Sequence, residues 1–181
     1  MSEPRGRVFS LSGKTPKIAD DVFLAPGSIV AGDVKIGAGS SVWFNVVIRG
    51  DVAPIRIGQR TNIQDNVVLH IDPDAPCIIG DDVTIGHSAI VHGTTIGDGV
   101  TIAMGAIVLS RSTIGAGAVV AAGAVVGEGV SVAPGALVMG VPAKERRILT
   151  VAEQTAFGRT AAHYQRNAAH FMETLSDVET E

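Results

Sequence analysis

The stretch from residue 96 to residue 120 reads IGDGVTIAMGAIVLSRSTIGAGAVV, and an aliphatic residue returns in it at every sixth position. A period of six is neither helical nor a plain alternation. It predicts a parallel β-helix in which each hexapeptide makes one short strand and a corner, and three hexapeptides make one triangular coil. The in-phase positions, which we expect to point inward, are Ile18, Leu24, Val30, Ile36, Val42, Ile48, Ile57, Ile63, Leu69, Ile79, Ile85, Val91, Ile96, Ile102, Val108, Ile114, Val120, Val126, Val132 and Val138.

The composition agrees with this all-β fold class. The chain has 22 glycines and 46% hydrophobic residues but only 4% aromatic ones. A narrow prism takes Val, Ile and Ala in its core and needs small residues at its corners, where positive φ excludes larger side chains. An ordinary β-sandwich is the alternative, and so long an in-phase series disfavours it.

Three breaks in the period predict local irregularities. Ile48 and Ile57 are nine residues apart, and Leu69 and Ile79 are ten apart, so we expect protruding loops of three and four extra residues. The second loop covers residues 72–77, a turn-rich run ending in a cysteine. The step of five that follows Val91 predicts one tightened corner.

The period stops after residue 138, and a helix signal follows. Thr150 and Glu153 have the spacing of a capping box. Apolar residues then recur at helical spacing and predict one apolar face: Phe157, Ala161, Tyr164, Ala168, Phe171 and Leu175. We therefore expect a parallel β-helix domain over residues 1–143 and, over residues 144–181, a C-terminal helix that packs on the β-helix.

Charge and cysteine content narrow the class of protein. The formal net charge is −4 and no basic run is present, which argues against a nucleic-acid partner. No signal peptide or membrane-spanning segment is visible, so we expect a cytoplasmic protein without membrane contact. Cys77 is the lone cysteine, which excludes an internal disulfide and suits a reducing compartment. Its position predicts an incidental loop thiol.

Two histidines fall in one column of the predicted β-helix. His70 and His92 are 22 residues apart, which is one 18-residue coil plus the four-residue loop. Each directly follows an inward aliphatic residue, so both should point outward on the same face. Adjacent coils lie about 4.8 Å apart, and two imidazoles can bridge that gap to one metal ion at roughly 2.1 Å per bond.

A third histidine, His87, belongs to the preceding face, with a corner between it and His92. It cannot easily complete the same site within one chain. A homotrimer would solve this problem, since three-fold symmetry brings different faces of identical prisms together. Three imidazoles with an open fourth position are typical of a catalytic zinc site. The alternative is three unrelated surface histidines, as His163 and His170 on the helix are expected to be.

Charged and polar residues follow the same columns. Arg49 should lie one coil before His70, and Asp65 one coil before His87. By the same interface argument, Arg49 of one chain is expected to pair with Asp65 of the next. Gln64 and Asp51 are near enough to contact water on a bound metal, although ordinary surface polarity would also explain them.

These residues together resemble the γ-class carbonic anhydrases over essentially the whole chain. The matching motifs are Arg49-Gly50-Asp51, the run 62–66 (NIQDN), His70, Ile85-Gly86-His87 and Val91-His92-Gly93. The resemblance implies a trimer of left-handed parallel β-helices with a metal ion at each interface. It implies His70, His87 and His92 as metal ligands, and Arg49, Asp51, Gln64 and Asp65 as catalytic-site residues. Tyr164 matches a family tyrosine near the substrate.

The implied activity is that of a lyase, the reversible hydration of carbon dioxide (CO2) to bicarbonate by a metal-bound hydroxide. Zinc (Zn2+) is the expected metal, and imidazole ligands also suit Fe2+ or Co2+. One departure concerns the proton shuttle. The acidic shuttle positions of the best-known active members are Val52 and Pro73 here, with Asp72 and Asp74 beside the second.

Three other functions fit the same fold. A metal-dependent thioesterase would use the same metal hydroxide on an acyl carbonyl. A hexapeptide acyltransferase would bind coenzyme A between adjacent prisms. A non-catalytic metal-binding scaffold would have assembly as its main output. The sequence leaves open the native metal, the rate, the pathway and any acyl substrate.

Overall fold

The protein is described by a computed structural model over residues 5–176. These residues form a parallel β-solenoid followed by one helix, which confirms the predicted fold class. In chain order the strands are β1 (Arg7–Phe9), β2 (Lys17–Ile18), β3 (Phe23–Leu24), β4 (Ile29–Ile36), β5 (Ser41–Val42), β6 (Val47–Ile57), β7 (Asn62–Ile63), β8 (Val68–His70), β9 (Cys77–Ile79), β10 (Thr84–Ile85), β11 (Ile90–His92), β12 (Thr95–Ile96), β13 (Thr101–Ile102), β14 (Ile107–Val108), β15 (Thr113–Ile114), β16 (Val119–Val120), β17 (Val125–Val126), β18 (Ser131–Val132), β19 (Ala136–Met139) and β20 (Lys144–Ile148).

The aliphatic series lies inside the solenoid, as predicted. Strands of successive coils pair in parallel and in register, so that Ile63 lies beside Ile85 and Ile85 beside Ile102. Most of the series is almost fully buried in one continuous cluster, while Ile18 and Leu24 in the first coil are only partly buried. Full burial of an Ile or Val side chain contributes about 1.5–3 kcal/mol. One coil alone has no such neighbours, so stability depends on stacking.

The three outer faces of the solenoid differ in chemistry. Face one presents an aliphatic column in which each residue pairs with the next: Ile29, Val47, Val68, Ile90, Ile107 and Val125. Face two presents a mostly polar column: Lys17, Lys35, Arg56, Ile78, Thr95, Thr113 and Ser131. Face three presents a column that begins Phe23, Ser41, Asn62, Thr84 and Thr101, and these residues are buried.

The two long spacings have different structures. We predicted a protruding loop between Ile48 and Ile57, and this prediction is wrong: these residues belong to β6, which continues around a corner from face one to face two. Pairing with β4 shifts between Gly50 and Ile55, so the extra residues form a bulge. Bulges re-aim side chains. The second spacing does contain a turn, closed by a bridge between residues 72 and 75.

Cys77 is a core residue and not the loop thiol that we predicted. It begins β9, pairs with Ile55 and is fully buried in the core cluster. The turn therefore ends before Cys77. The side chain of Cys77 points into the core, although the six-residue period predicts no inward residue between Leu69 and Ile79.

The C-terminal segment packs on the solenoid of its own chain. Strand β20 pairs antiparallel with β19, and helix α1 (Val151–Thr174) follows it. The predicted capping box is present, since Thr150 Oγ1 accepts from the Glu153 backbone N–H and the Glu153 carboxylate accepts from the Thr150 backbone N–H. The helix lies over face three. The limits 1–143 and 144–181 stay a prediction, because residues 1–4 and 177–181 lie outside the described residues.

None of the helical structure within residues 5–176 has the length and apolar character needed to cross a membrane.

Candidate metal centre

Two of the three predicted ligands are side by side. His70 and His92 pair in register at the ends of β8 and β11, as the coil arithmetic predicted. The Nδ1 atom of His70 lies 3.0 Å from Nε2 of His92, and the ring centroids are 5.0 Å apart. Both side chains are partly buried. Burial lowers the pKa of His70, and the nearby charge of Arg49 lowers it further, which favours the neutral, ligating imidazole.

The bulge of β6 brings an acidic residue to His70. Asp51 Oδ1 lies 3.0 Å from His70 Nε2 and accepts its hydrogen bond. The other oxygen of Asp51 pairs with the guanidinium of Arg49 in the same chain. Asp51 therefore lies beside the candidate ligand His70, and its contact with water on a bound metal stays a prediction. The pair between Arg49 and Asp65 of a neighbouring subunit stays a prediction.

The outer nitrogen of His92 has a partner that we did not predict. His92 Nδ1 lies 2.8 Å from Ser110 Oγ, and Ser110 Oγ donates to Asp72 Oδ2 at 2.6 Å. Asp72 Oδ2 itself is 3.8 Å from His92 Nδ1, so the serine stands between the carboxylate and the imidazole. Ser110 is buried, whereas Asp72 is partly exposed.

Ser110 escaped sequence reasoning because of the tightened corner. The coil that begins at Val91 has 17 residues, and the registered partner of Val91 is Val108. Counting coils therefore places Leu109 beside His92, while Ser110 falls in the next corner. An uninterrupted 18-residue coil would place Ser110 in the column of His92, and the step of five after Val91 moves it one position past that column.

His87 lies in a separate cluster at the corner after face three. Its Nδ1 donates to Asp65 Oδ2 at 2.7 Å, and its Nε2 lies 3.3 Å from the Tyr164 hydroxyl. Gln64 is buried, and its Oε1 accepts from the backbone N–H of His87 at 3.2 Å. Its amide nitrogen donates to Asn62 Oδ1 at 3.0 Å. Three of the predicted site residues thus contact His87, two at its imidazole and one at its backbone.

Aromatic packing holds Tyr164 in place. Trp43, from the corner after β5, has its ring centroid 5.2 Å from that of Tyr164 and 5.1 Å from that of Phe171, both edge-on. Burial raises the pKa of Tyr164, and the negative charge of Asp65 adds to the effect. The phenol therefore stays protonated at neutral pH and can donate a hydrogen bond.

The two clusters do not merge within one chain. In the part of the chain that the structure describes, no group of three His, Cys, Asp or Glu side chains is placed to hold a metal ion. The contacts of His87 are with Asp65 and Tyr164, and not with His70 or His92. One protomer thus offers a ligand pair and a separate third imidazole. His163 and His170 lie exposed on the helix, as expected.

The donor set and its spacing fit a divalent transition metal. Imidazole nitrogens suit zinc, iron and cobalt. Two nitrogens bound tetrahedrally to zinc at 2.0–2.1 Å are about 3.3 Å apart, and the facing nitrogens of His70 and His92 are separated by 3.0 Å. The pair can therefore occupy two neighbouring positions of one ion with only a small adjustment.

The positions expected for a proton shuttle are apolar, and their acidic neighbours are already hydrogen-bonded. Val52 lies on the bulge with 52% of its surface exposed. Asp74 accepts two hydrogen bonds from Arg111, at 2.7 and 2.9 Å, and these bonds hold its pKa below the usual value. Asp74 is therefore a poor proton acceptor near neutral pH, and Asp72 is hydrogen-bonded to Ser110.

Comparison with known proteins gives two family models and several close relatives. The model described as "Bacterial transferase hexapeptide (six repeats)" matches residues 15–50. The model described as "Hexapeptide repeat of succinyl-transferase" matches residues 76–110. Among solved structures, a "hexapeptide transferase family protein" from Anaplasma phagocytophilum superimposes with a TM-score of 0.87 at 36% identity, covering 91% of this chain and 97% of that chain.

Two named relatives cover almost all of this chain. A "Carbonic anhydrase" of Geobacillus kaustophilus is 48% identical over 164 residues, which cover 91% of this chain and 90% of that protein. "Gamma carbonic anhydrase 2, mitochondrial" of Arabidopsis thaliana is 39% identical over 178 residues, covering 93% of this chain and 64% of that protein. The chain thus spans just under two thirds of the plant relative.

Proposed function

The chain belongs to the γ-class carbonic anhydrase family, and from this premise we propose that it converts carbon dioxide to bicarbonate, reversibly, at metal sites shared between subunits of a homotrimer. The observation that carries the proposal is the in-register pair of His70 and His92, with ring nitrogens 3.0 Å apart. Such a pair would supply two ligands of a metal site, and no third ligand stands beside it among residues 5–176.

The apolar column of face one supports the trimer. Val68 and Ile90, near its middle, are 37% and 39% exposed in one protomer. The helix of the same chain covers face three and leaves face one open. Contiguous exposed apolar surface of this kind typically marks an interface. His70 and His92 lie two positions after Val68 and Ile90 on the same strands, so alternation points them outward beside the face-one column, and a copy packed on this face would lie next to them.

We propose His70 and His92 of one subunit and His87 of its neighbour as the ligands, with zinc, iron or cobalt as candidate metals. A zinc ion held by three imidazoles would act as a Lewis acid. It would lower the pKa of bound water to about 7 and so provide a nucleophile for CO2 at neutral pH. Three-fold symmetry would give three equivalent sites.

The other residues of the site would position these ligands. Asp51 accepts from His70 Nε2 and thereby leaves Nδ1 free for the metal. Asp65 accepts from His87 Nδ1 and leaves Nε2 free. Gln64 accepts a hydrogen bond from the backbone N–H of His87 and so helps to fix the position of the His87 backbone, from which the imidazole extends. Carboxylate partners of ligating histidines act in this way in metal sites generally.

Tyr164 is the proposed contact to substrate. Its hydroxyl lies beside His87 Nε2, the nitrogen proposed to face the metal. A protonated phenol at this place can donate a hydrogen bond to an oxygen of CO2 or bicarbonate. Arg49 lies on the far side of Asp51, where we propose that it pairs with Asp65 of the neighbouring subunit.

We also propose that the proton leaves directly to external buffer. Val52 and Pro73 cannot carry a proton, and Asp74 is held as a carboxylate by Arg111. Turnover should then depend on buffer concentration, because no acidic side chain stands at either of the usual shuttle positions.

The test is stopped-flow CO2 hydration by metal-replete protein purified without oxygen. We expect a rate above background that rises with imidazole buffer concentration and disappears in the His70→Ala variant. The His163→Ala variant is the matched control, since it removes an exposed histidine on the helix. A metal-replete trimer with no rate above background would exclude the proposed activity.

Acyl transfer is the second candidate, favoured by the similarity to the hexapeptide transferase family protein. It predicts saturable binding of acetyl-coenzyme A to the trimer. Isothermal titration with acetyl-coenzyme A on the same preparation separates the two functions, since CO2 hydration has no use for that ligand.

A further inference from the structure

The hydrogen bonds around Ser110 have a defined direction. An ionised carboxylate only accepts hydrogen bonds, so the Ser110 hydroxyl, 2.6 Å from Asp72 Oδ2, gives its single hydrogen to Asp72. Ser110 Oγ then has only lone pairs for His92 Nδ1, 2.8 Å away. The hydrogen between these two atoms must therefore come from the imidazole.

A neutral imidazole carries one N–H. If Nδ1 of His92 donates to Ser110, Nε2 holds a lone pair, and Nε2 is the atom that faces His70. We propose that Ser110, backed by Asp72, is a positioning residue that fixes His92 in the Nδ1–H form and so presents Nε2 to the metal. The inference rests on the proposed function for what Nε2 binds: Asp51 accepts the hydrogen of His70 Nε2, so the facing nitrogens, 3.0 Å apart, both hold lone pairs, and a cation between them satisfies both.

The surrounding backbone supports this arrangement. Gly93 follows His92, and a Cβ atom there would lie 3.0 Å from Ser110 Oγ and 2.9 Å from the carbonyl oxygen of Ala75. The glycine thus lets Ser110 and the 72–75 turn approach His92 closely. Arg111 ties the same turn to the next coil through Asp74. Two adjacent residues, Ser110 and Arg111, therefore hold the turn in place.

The first measurement is made on metal-free protein. Long-range proton–nitrogen correlation spectra at pH 8.5 report which ring nitrogen of His92 carries the hydrogen, with the signal assigned by its loss in His92→Gln. We expect the Nδ1–H form in wild type and a shift toward the Nε2–H form in Ser110→Ala. Ser110→Thr, which keeps the hydroxyl, should retain the wild-type form. An unchanged tautomer in Ser110→Ala would overturn the inference.

The second measurement is zinc affinity by chelator competition. Loss of a partner that orients a ligating histidine typically weakens metal binding about 10–100-fold, and we expect this range for Ser110→Ala. Ser131→Ala is the matched control, because Ser131 is exposed on face two and its side chain has no hydrogen-bond partner among residues 5–176. Affinity within about twofold of wild type in Ser110→Ala would refute the positioning role.

Two further arms keep the test decisive. If Ser110→Ala does not fold, Asp72→Ala frees the Ser110 hydrogen to point at His92, and the Nδ1–H population should fall; no change would contradict the inference. If wild type binds no zinc, the proposed function fails, while the tautomer spectra still decide whether Ser110 controls His92.

Discussion

The Nε2 atom of His92 faces the Nδ1 atom of His70 across 3.0 Å, because the two residues occupy paired positions on adjacent strands. Each ring has a hydrogen-bond acceptor on its other side, Asp51 for His70 and Ser110 for His92. The facing nitrogens are therefore the ones left for a metal. A rigid solenoid suits such a site, because the pairing of β8 with β11 holds both imidazoles in position.

The shared metal site can be tested by mixing defective subunits. The His87→Ala variant keeps the ligand pair, and a variant lacking both His70 and His92 keeps the third ligand; each homotrimer should bind no metal. Random assortment after co-refolding should restore metal to about a quarter of the wild-type content, one site in each mixed trimer. Metal analysis checks this value. Full metal retention in His87→Ala alone would contradict sharing.

The proposed interface predicts a clear effect of charge on face one. Ile90→Arg should give a monomer at micromolar concentration that binds no metal, because an unpaired buried charge costs several kcal/mol. Thr95→Arg places the same side chain on face two and should remain trimeric. Sedimentation velocity measures both, with circular dichroism as the check on folding. An Ile90→Arg trimer would rule out face one as the interface.

Cys77 should be inert in the native protein. Burial raises the pKa of its thiol to about 12, so almost no thiolate exists at pH 8, and the thiolate is the reactive form. We expect negligible reaction with a chromogenic disulfide reagent at pH 8 and one thiol per chain after unfolding in guanidinium chloride. Rapid labelling of the native protein would mean that the core is more open than the structure indicates.

The capping box predicts an acid-dependent loss of helix docking. Hydrogen bonds from Arg147 and from the Thr150 backbone and hydroxyl lower the pKa of Glu153 from its usual value of 4.5 to about 2. Because the folded pKa is lower, this contribution is complete above pH 4.5 and is lost as the pH falls toward 2. Fluorescence of Trp43, which contacts the helix, should report this loss.

The matched variants are Glu153→Gln and Glu145→Gln. Glu153→Gln should weaken docking at pH 7 and flatten the dependence between pH 4.5 and 2, while Glu145→Gln on β20 should behave as wild type. An identical pH profile in Glu153→Gln and wild type would show that another group controls docking in acid.

The sequence determined the solenoid, the in-register histidine pair and the start of the helix. The first two follow from period alone, because a parallel ladder converts spacing directly into position, as for Ile63 with Ile85 and His70 with His92. The helix start follows from a local signal, since the side chains of Thr150 and Glu153 each accept a hydrogen bond from the other residue's backbone N–H.

Only the tertiary structure decided the partners of the histidines. Asp51 reaches His70 through a bulge that spacing predicted as a loop. Ser110 reaches His92 from one position past the residue that the 17-residue coil places beside it. Cys77 enters the core where counting assigns no inward residue. These contacts depend on the backbone path where a corner has extra or missing residues. Many local backbone paths are compatible with the same number of residues. Packing against the adjoining coils selects one of them.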